Sequence, residues 1–204
     1  SGTFINEAVV AGLVSAGANV LDYGVIPTPM LQWIIRHNPD IKGGISITAG
    51  HNSFKWNSLI FLNNEGAYLN KLEGDEFFNL HHSGYFDKRA FDNLGKYEKS
   101  SHMMQDYFKT FQLENNDPGK LKFIIDCSNG FDASFIQRLA RALGIEAIPI
   151  FSSEDRVLQK NPEPNTANAR FLETIVKATN SDGGFLLNSD ASRVLMVDET
   201  GKAL

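Results

Sequence analysis

The chain has 204 residues, 42% of them hydrophobic and 21% charged, and a formal net charge of −5 at pH 7. That length allows one or two globular domains, and the composition is not that of a disordered or fibrous chain. An acidic balance without clustered Lys and Arg argues against a nucleic-acid surface, and no run of about 18 apolar residues predicts a membrane span. The N-terminus lacks the basic start and continuous apolar stretch of a signal peptide, so no leader is expected. A lone Cys127 cannot form an internal disulfide and fits a reducing cytoplasm. It reads as a small buried residue at a strand end rather than as a reactive thiol.

In chain order, residues 3–17 predict an amphipathic helix, with Phe4, Ala8, Val9, Ala11, Leu13 and Val14 at three- and four-residue spacing and Gly17 as its stop. Residues 19–23 (NVLDY) read as a strand. A second helix follows over residues 29–37, with Thr28 as candidate N-cap and Pro29 in the first turn. Residues 43–62, GGISITAGHNSFKWNSLIFL, are the most informative stretch. They read as a strand at 45–48, a polar loop at 49–57 and a strand at 58–62, and polar loops at the ends of core strands carry chemistry. A turn at 63–66 and a helix at 72–82 complete an α/β first half. The weakly patterned, charged stretch at 94–101 marks a domain boundary, giving domains at 1–95 and 96–204.

The second half predicts a helix at 102–113, whose Met103, Tyr107, Phe108 and Phe111 form a packing stripe. A strand at 121–126, a turn at 127–130 and a helix at 131–143 closed by Gly144 follow. Then come a strand at 145–150, a loop at 151–166, a helix at 167–179, and strands at 184–187 and 193–198 around a loop at 188–192. Alternating strands and helices give mostly parallel sheets with right-handed crossovers. The fold class expected is α/β: two consecutive three-layer α/β/α domains with mixed, mostly parallel sheets.

Five stretches together resemble the α-D-phosphohexomutases, the phosphoglucomutase and phosphomannomutase family. They are residues 12–29 (GLVSAGANVLDYGVIPTP), the loop Thr48-Ala49-Gly50-His51-Asn52-Ser53, the turn Asp126-Cys127-Ser128-Asn129-Gly130, the run Asn161-Pro162-Glu163-Pro164, and residues 182–193 (DGGFLLNSDASR). Their order and spacing agree over nearly the whole chain. The resemblance implies a phosphoglucomutase-like fold and coverage of most of the family's first two domains. The chain would begin just after the family's first strand and Arg-rich loop, and the third and fourth domains would lie beyond it. It implies intramolecular phosphoryl transfer on hexose phosphates through a phosphoserine, with Mg²⁺ held by that phosphoserine and three Asp. It also implies that Gly50 and Asp190 lie on loops facing a cleft between the two domains.

The chain departs from this pattern where the chemistry is concentrated. Gly50 stands at the phosphoserine position and has no oxygen to load. Ser53, three residues on, replaces the family's Pro and lies too far to serve readily as carrier. The three metal positions are Asn188, Asp190 and Ser192, so one carboxylate remains where Mg²⁺ favours several hard anionic oxygens. Ile60 replaces a Lys. Asp190 reads as a solvated loop carboxylate rather than a working metal ligand. His51, retained together with Asn52, is either a site residue or a loop-bracing hydrogen-bonder. Arg193 either holds an anion or cross-braces its loop. The expectation is therefore a catalytically inactive phosphohexomutase-like protein of the cytoplasm, with Mg²⁺ binding weak or absent. Its partner would be a phosphorylated hexose or a protein, with no nucleic acid and no membrane. The alternative is a non-catalytic sugar-phosphate-binding or protein-interaction module.

Overall fold

A computed structural model describes residues 2–50, 52, 55–86, 89–111, 121–153 and 161–204. The chain is α/β, with mixed, mostly parallel sheets. By its internal contacts it divides into two units. One comprises Ser1–Val25, Leu31–Ile47 and Leu59–His102; the other comprises Ile26–Met30, Thr48–Ser58 and Met103–Leu204. This division differs from a single cut between residues 95 and 96. Among the described residues no helix is long and apolar enough to cross a membrane.

Helix α1, Gly2–Ser15, precedes strand β1, Val20–Asp22, and Gly17 turns the chain between them at φ +88°. In α1 Ile5, Val9, Val10, Leu13 and Val14 are half-buried at helical spacing, as an amphipathic helix requires, but none is fully buried and Phe4, Ala8 and Ala11 are exposed. Helix α2, Thr28–His37, does show a stripe: Met30 and Ile34, one turn apart, are fully buried, and Ile35 beside them nearly so. Strands β2, Gly44–Thr48, and β3, Ser58–Leu62, pair with each other, and the predicted bounds of β3 are met to the residue. Gly44 begins β2 close to α2: a Cβ there would meet the Ile35 side-chain end, Cδ1, at 2.5 Å, and that side chain would have to shift.

Helix α3, Lys71–Ser83, starts with a reciprocal cap. Asn70 Oδ1 accepts from the Glu73 N–H, and the Glu73 carboxylate accepts from the Asn70 N–H; Gly84 ends the helix at φ +65°. After a 3-10 turn at Phe91–Asn93, strand β4, Tyr97–Lys99, runs parallel to β1. It falls inside the stretch read as a boundary. Its three residues are all exposed, so no apolar alternation betrays it. Asn19 Oδ1 secures it by accepting from the Lys96 N–H, and Gly95 leaves no room for a Cβ against the Ala18 backbone.

In the second half, the predicted 102–113 helix shortens to α4, Met104–Lys109, and Leu113 lies outside the described residues. The packing reading of its stripe holds for Phe108, which is buried with its ring 5.4 Å from that of Phe135. Strand β5, Lys122–Asp126, is flanked in parallel by β6, Glu146–Ile150, and β7, Gly183–Leu187, while β8, Val194–Val197, is antiparallel to β7. Helix α5, Ala133–Leu143, begins two residues later than predicted because Asp132 Oδ1 accepts from the N–H groups of Ser134 and Phe135. Helix α6, Thr166–Ala178, is capped in the same way by Asn165.

Alternation along β5 sends neighbouring residues to opposite faces. Ile124 joins Leu172 and Val176 of α6 and Leu186 in one buried cluster; Ile125 joins Cys127, Phe131 and Ile136 of α5 in another. Helices thus cover both faces of this sheet, and the carboxyl ends of β5 and β7 are left to carry loops.

Candidate functional site

Strand β5 ends in the turn Asp126–Gly130. Asp126 Oδ1 accepts from the Ser128 N–H at 3.0 Å, and Ser128 and Asn129 take φ of +46° and +52°. This tight geometry aims Ser128 Oγ at the Leu187 carbonyl, 2.7 Å away, and so ties the end of β5 to the end of β7. Asn129 Oδ1 accepts from the Ser153 N–H, which anchors the chain leaving β6. Gly130 passes so close to Ser189 that a Cβ would lie 1.8 Å from the Ser189 carbonyl oxygen.

The loop that follows β7 is bonded to itself. Asn188 Oδ1 accepts from the Arg193 N–H at 3.0 Å, and Asn188 Nδ2 donates to Ser192 Oγ at 3.1 Å. Ser192 donates twice to Asp190 Oδ1, from its N–H at 3.1 Å and its hydroxyl at 2.6 Å. The other carboxylate oxygen, Asp190 Oδ2, accepts from Thr28 Oγ1 at 3.2 Å, and the Thr28 N–H donates to the Asp190 carbonyl at 2.9 Å. Asp190 is 5% exposed and Asn188 fully buried. The expectation of a solvated Asp190 is corrected: Thr28 and Ser192 supply the donors that water would otherwise provide. Residues 28 and 190 are 162 apart in sequence, so no local signal connects them; from sequence Thr28 reads only as a cap.

Gly50 sits beside this loop. Its N–H donates to Thr48 Oγ1 at 2.8 Å, its carbonyl accepts from Ser189 Oγ at 2.8 Å, and its φ is +59°. Among the described residues nothing lies within 4 Å of where its Cβ would be. Gly50, Thr28 and the 188–192 loop belong to the same contact unit. The loop holding Gly50 and the loop holding Asp190 therefore meet, with Ser189 as the residue that joins them. Asn52 is exposed, and its N–H donates to the Ala49 carbonyl. His51 and Ser53 lie outside the described residues. Arg193 braces its loop through backbone bonds to Asn188, and its guanidinium is exposed without a partner among the described residues.

Cys127 is fully buried at the end of β5. Burial, reinforced by the negative charges of Asp126 and Asp132, pushes its thiol up to about 12. It is a packing residue and not a nucleophile at neutral pH.

The family profile for phosphoglucomutase/phosphomannomutase, alpha/beta/alpha domain I, matches residues 1–79, and that for alpha/beta/alpha domain II matches residues 101–201. The chain belongs to the phosphoglucomutase/phosphomannomutase family. It is 31% identical over 208 residues to a phosphoglucomutase/phosphomannomutase of Thermococcus kodakarensis, covering 99% of this chain and 45% of that protein. It is 28% identical over 207 residues to a phosphoglucosamine mutase of Methanococcus maripaludis, covering 99% and 46%. A family protein from Burkholderia thailandensis shares the fold at a TM-score of 0.81 and 22% identity, over 98% of this chain and 44% of that one. The chain thus spans about half the length of the curated relatives it matches.

Proposed function

We propose that this phosphohexomutase-family chain keeps the family scaffold without its phosphoryl transfer. The observation that carries this reading is Gly50. At the position where the family loads a phosphoryl group, the chain offers no side-chain oxygen, and its peptide groups are engaged by Thr48 and Ser189.

The residues at the family's metal positions do not fit Mg²⁺. Asn188, Asp190 and Ser192 bring one carboxylate, and each of its oxygens already accepts a hydrogen bond from this chain. Mg²⁺ gives up water reluctantly and favours carboxylate or phosphate oxygens in octahedral array.

The test uses the natural protein that contains this chain. Incubation with radiolabelled glucose 1,6-bisphosphate should leave no stable label on the protein and give no mutase turnover. Label retained through denaturation, or turnover that survives removal of contaminating mutase, would overturn the proposal. Mg²⁺ binding is read from melting. A ligand at 100 times its dissociation constant stabilises by about 2.7 kcal/mol, which at 2–4 °C per kcal/mol is a rise of roughly 5–10 °C. Millimolar Mg²⁺ should give almost no rise. The triple change Asn188→Asp, Ser189→Gly, Ser192→Asp should create one. A rise in the unmodified chain that Asp190→Ala abolishes would show a working metal site.

A non-catalytic role in binding a phosphorylated hexose is favoured by one observation, the exposed guanidinium of Arg193, which has no partner among the described residues. Unpaired, buried Cys127 fits a reducing compartment such as the cytoplasm.

A further inference from the structure

Helices α4 and α5 line an open recess of about 240 Å³. Its described lining is Gln105, Phe108 and Lys109 from α4 and Arg138, Arg141 and Ala142 from α5. Among the described residues three cations and one amide face it, and no carboxylate does. Lys109 already has a counter-charge, since its ammonium lies 2.7 Å from Asp106 Oδ1. The two arginines have none: neither guanidinium makes an ion pair or hydrogen bond among the described residues. In a chain of net charge −5, with carboxylates in excess, two uncompensated guanidiniums at one recess call for an anion.

The local structure also prepares them. Arg138 and Arg141 are three residues apart on α5, a spacing that puts both side chains on one helix face. The Arg138 guanidinium lies 4.5 Å from the centroid of the Phe108 ring, and that ring is buried. Stacking of this kind holds the planar group in place and leaves its N–H edge for an oxyanion. Guanidinium binds phosphate with two parallel N–H···O bonds, which gives direction as well as attraction. The recess is smaller than the roughly 300–1,000 Å³ of a site for a drug-sized ligand, so it suits a compact charged group.

We propose that the α4–α5 recess binds the phosphate group of a small phosphorylated metabolite, gripped by Arg138 and Arg141. The site is separate from Gly50, Asp190 and Arg193 in sequence and chemistry, and it stands whether or not the chain retains catalysis.

The experiment follows the arginine Nε–H resonances of the isotope-labelled chain during titration with inorganic phosphate and, separately, with glucose 1-phosphate. Saturable shifts of Arg138 and Arg141 are expected. Arg141→Gln, at an exposed position, should weaken binding by about tenfold or more, because one charge-assisted pair is lost. Arg141→Lys should fall between the two, keeping the charge but not the fork. Arg193→Gln should leave these shifts unchanged, which separates this site from the one discussed above. Tighter binding of the ester identifies a metabolite as the ligand, and equal binding identifies the free anion. Circular dichroism and melting of Arg141→Gln check that the fold persists. No saturation at millimolar phosphate, or equal binding by wild type and folded Arg141→Gln, would overturn the proposal.

Discussion

Gly130→Ala tests whether the turn after β5 and the loop after β7 need their close approach. An added Cβ would lie 1.8 Å from the Ser189 carbonyl oxygen and 2.4 Å from Ser189 C and Cα, where real Cβ contacts essentially never fall under 3.0 Å. All three atoms are backbone, so no side chain can swing aside. One loop must move by about 1.2 Å, the difference between 1.8 and 3.0 Å. Overpacking of this kind costs about 1–3 kcal/mol. The same displacement strains two bonds that hold the loops, Ser128 Oγ to the Leu187 carbonyl and Ser189 Oγ to the Gly50 carbonyl. At about 0.5–1.5 kcal/mol each, the total centres near 4 kcal/mol, a large part of the 5–15 kcal/mol that holds a typical domain. Urea titration and thermal melting report it, and the expected fall in midpoint is roughly 8–16 °C for the transition that involves the second unit. The matched control is Gly12→Ala in α1, where a Cβ meets nothing within 4 Å; it should be neutral or stabilising by up to about 1 kcal/mol. A loss of less than about 1 kcal/mol in Gly130→Ala would refute the reasoning.

Gly50→Ser has room for its side chain but must hold φ +59°, at a cost of about 1–2 kcal/mol; it should lower the melting temperature without conferring mutase turnover. Burial of Asp22 works to raise its carboxyl, but hydrogen bonds from the Gly24 N–H, Tyr97 hydroxyl and Asn6 amide, with the charge of Lys99, outweigh it and hold the group below its ordinary value. Its stabilisation is therefore present above the unfolded value and lost as pH falls through the lower folded one; acid titration of Asp22→Asn against wild type should show the two stabilities converging below about pH 4. Cys127 should resist a disulfide reagent at pH 8 in the folded chain and react at once in denaturant, and equal rates would place the thiol at the surface.

The parts of the fold that were legible in sequence are those with a strong apolar pattern. Residues 58–62 (SLIFL) gave β3 to the residue, and the strands of the second-half sheet were found to within one residue at each end. Helix ends moved where a polar cap decided them, as at Asp132 and Asn70. Strand β4 could not be seen, because a three-residue exposed edge has neither burial nor alternation to announce it. At the candidate site, the identity of each replaced residue was legible but not what it would do. That Asp190 is buried depends on Thr28 arriving from the other end of the chain, and a pairing across 162 residues leaves no local trace. Ser189, which no local pattern singles out, joins the two loops by donating to the Gly50 carbonyl.

The hydrogen bonds of the 188–193 loop also constrain which substitutions it can accept one at a time. Asn188 donates to Ser192, and Ser192 in turn donates to Asp190. Ser192→Asp alone would put a second carboxylate where a hydroxyl now donates to Asp190 Oδ1 at 2.6 Å. Asn188→Asp alone would replace the amide that donates to Ser192 Oγ with an oxygen that cannot. Either single change meets repulsion or an unmade bond before any cation is there to offset it. The side chains at 188, 190 and 192 are thus coupled, and Asn188→Asp and Ser192→Asp are each expected to cost stability, with separate effects that do not sum to the effect of both together.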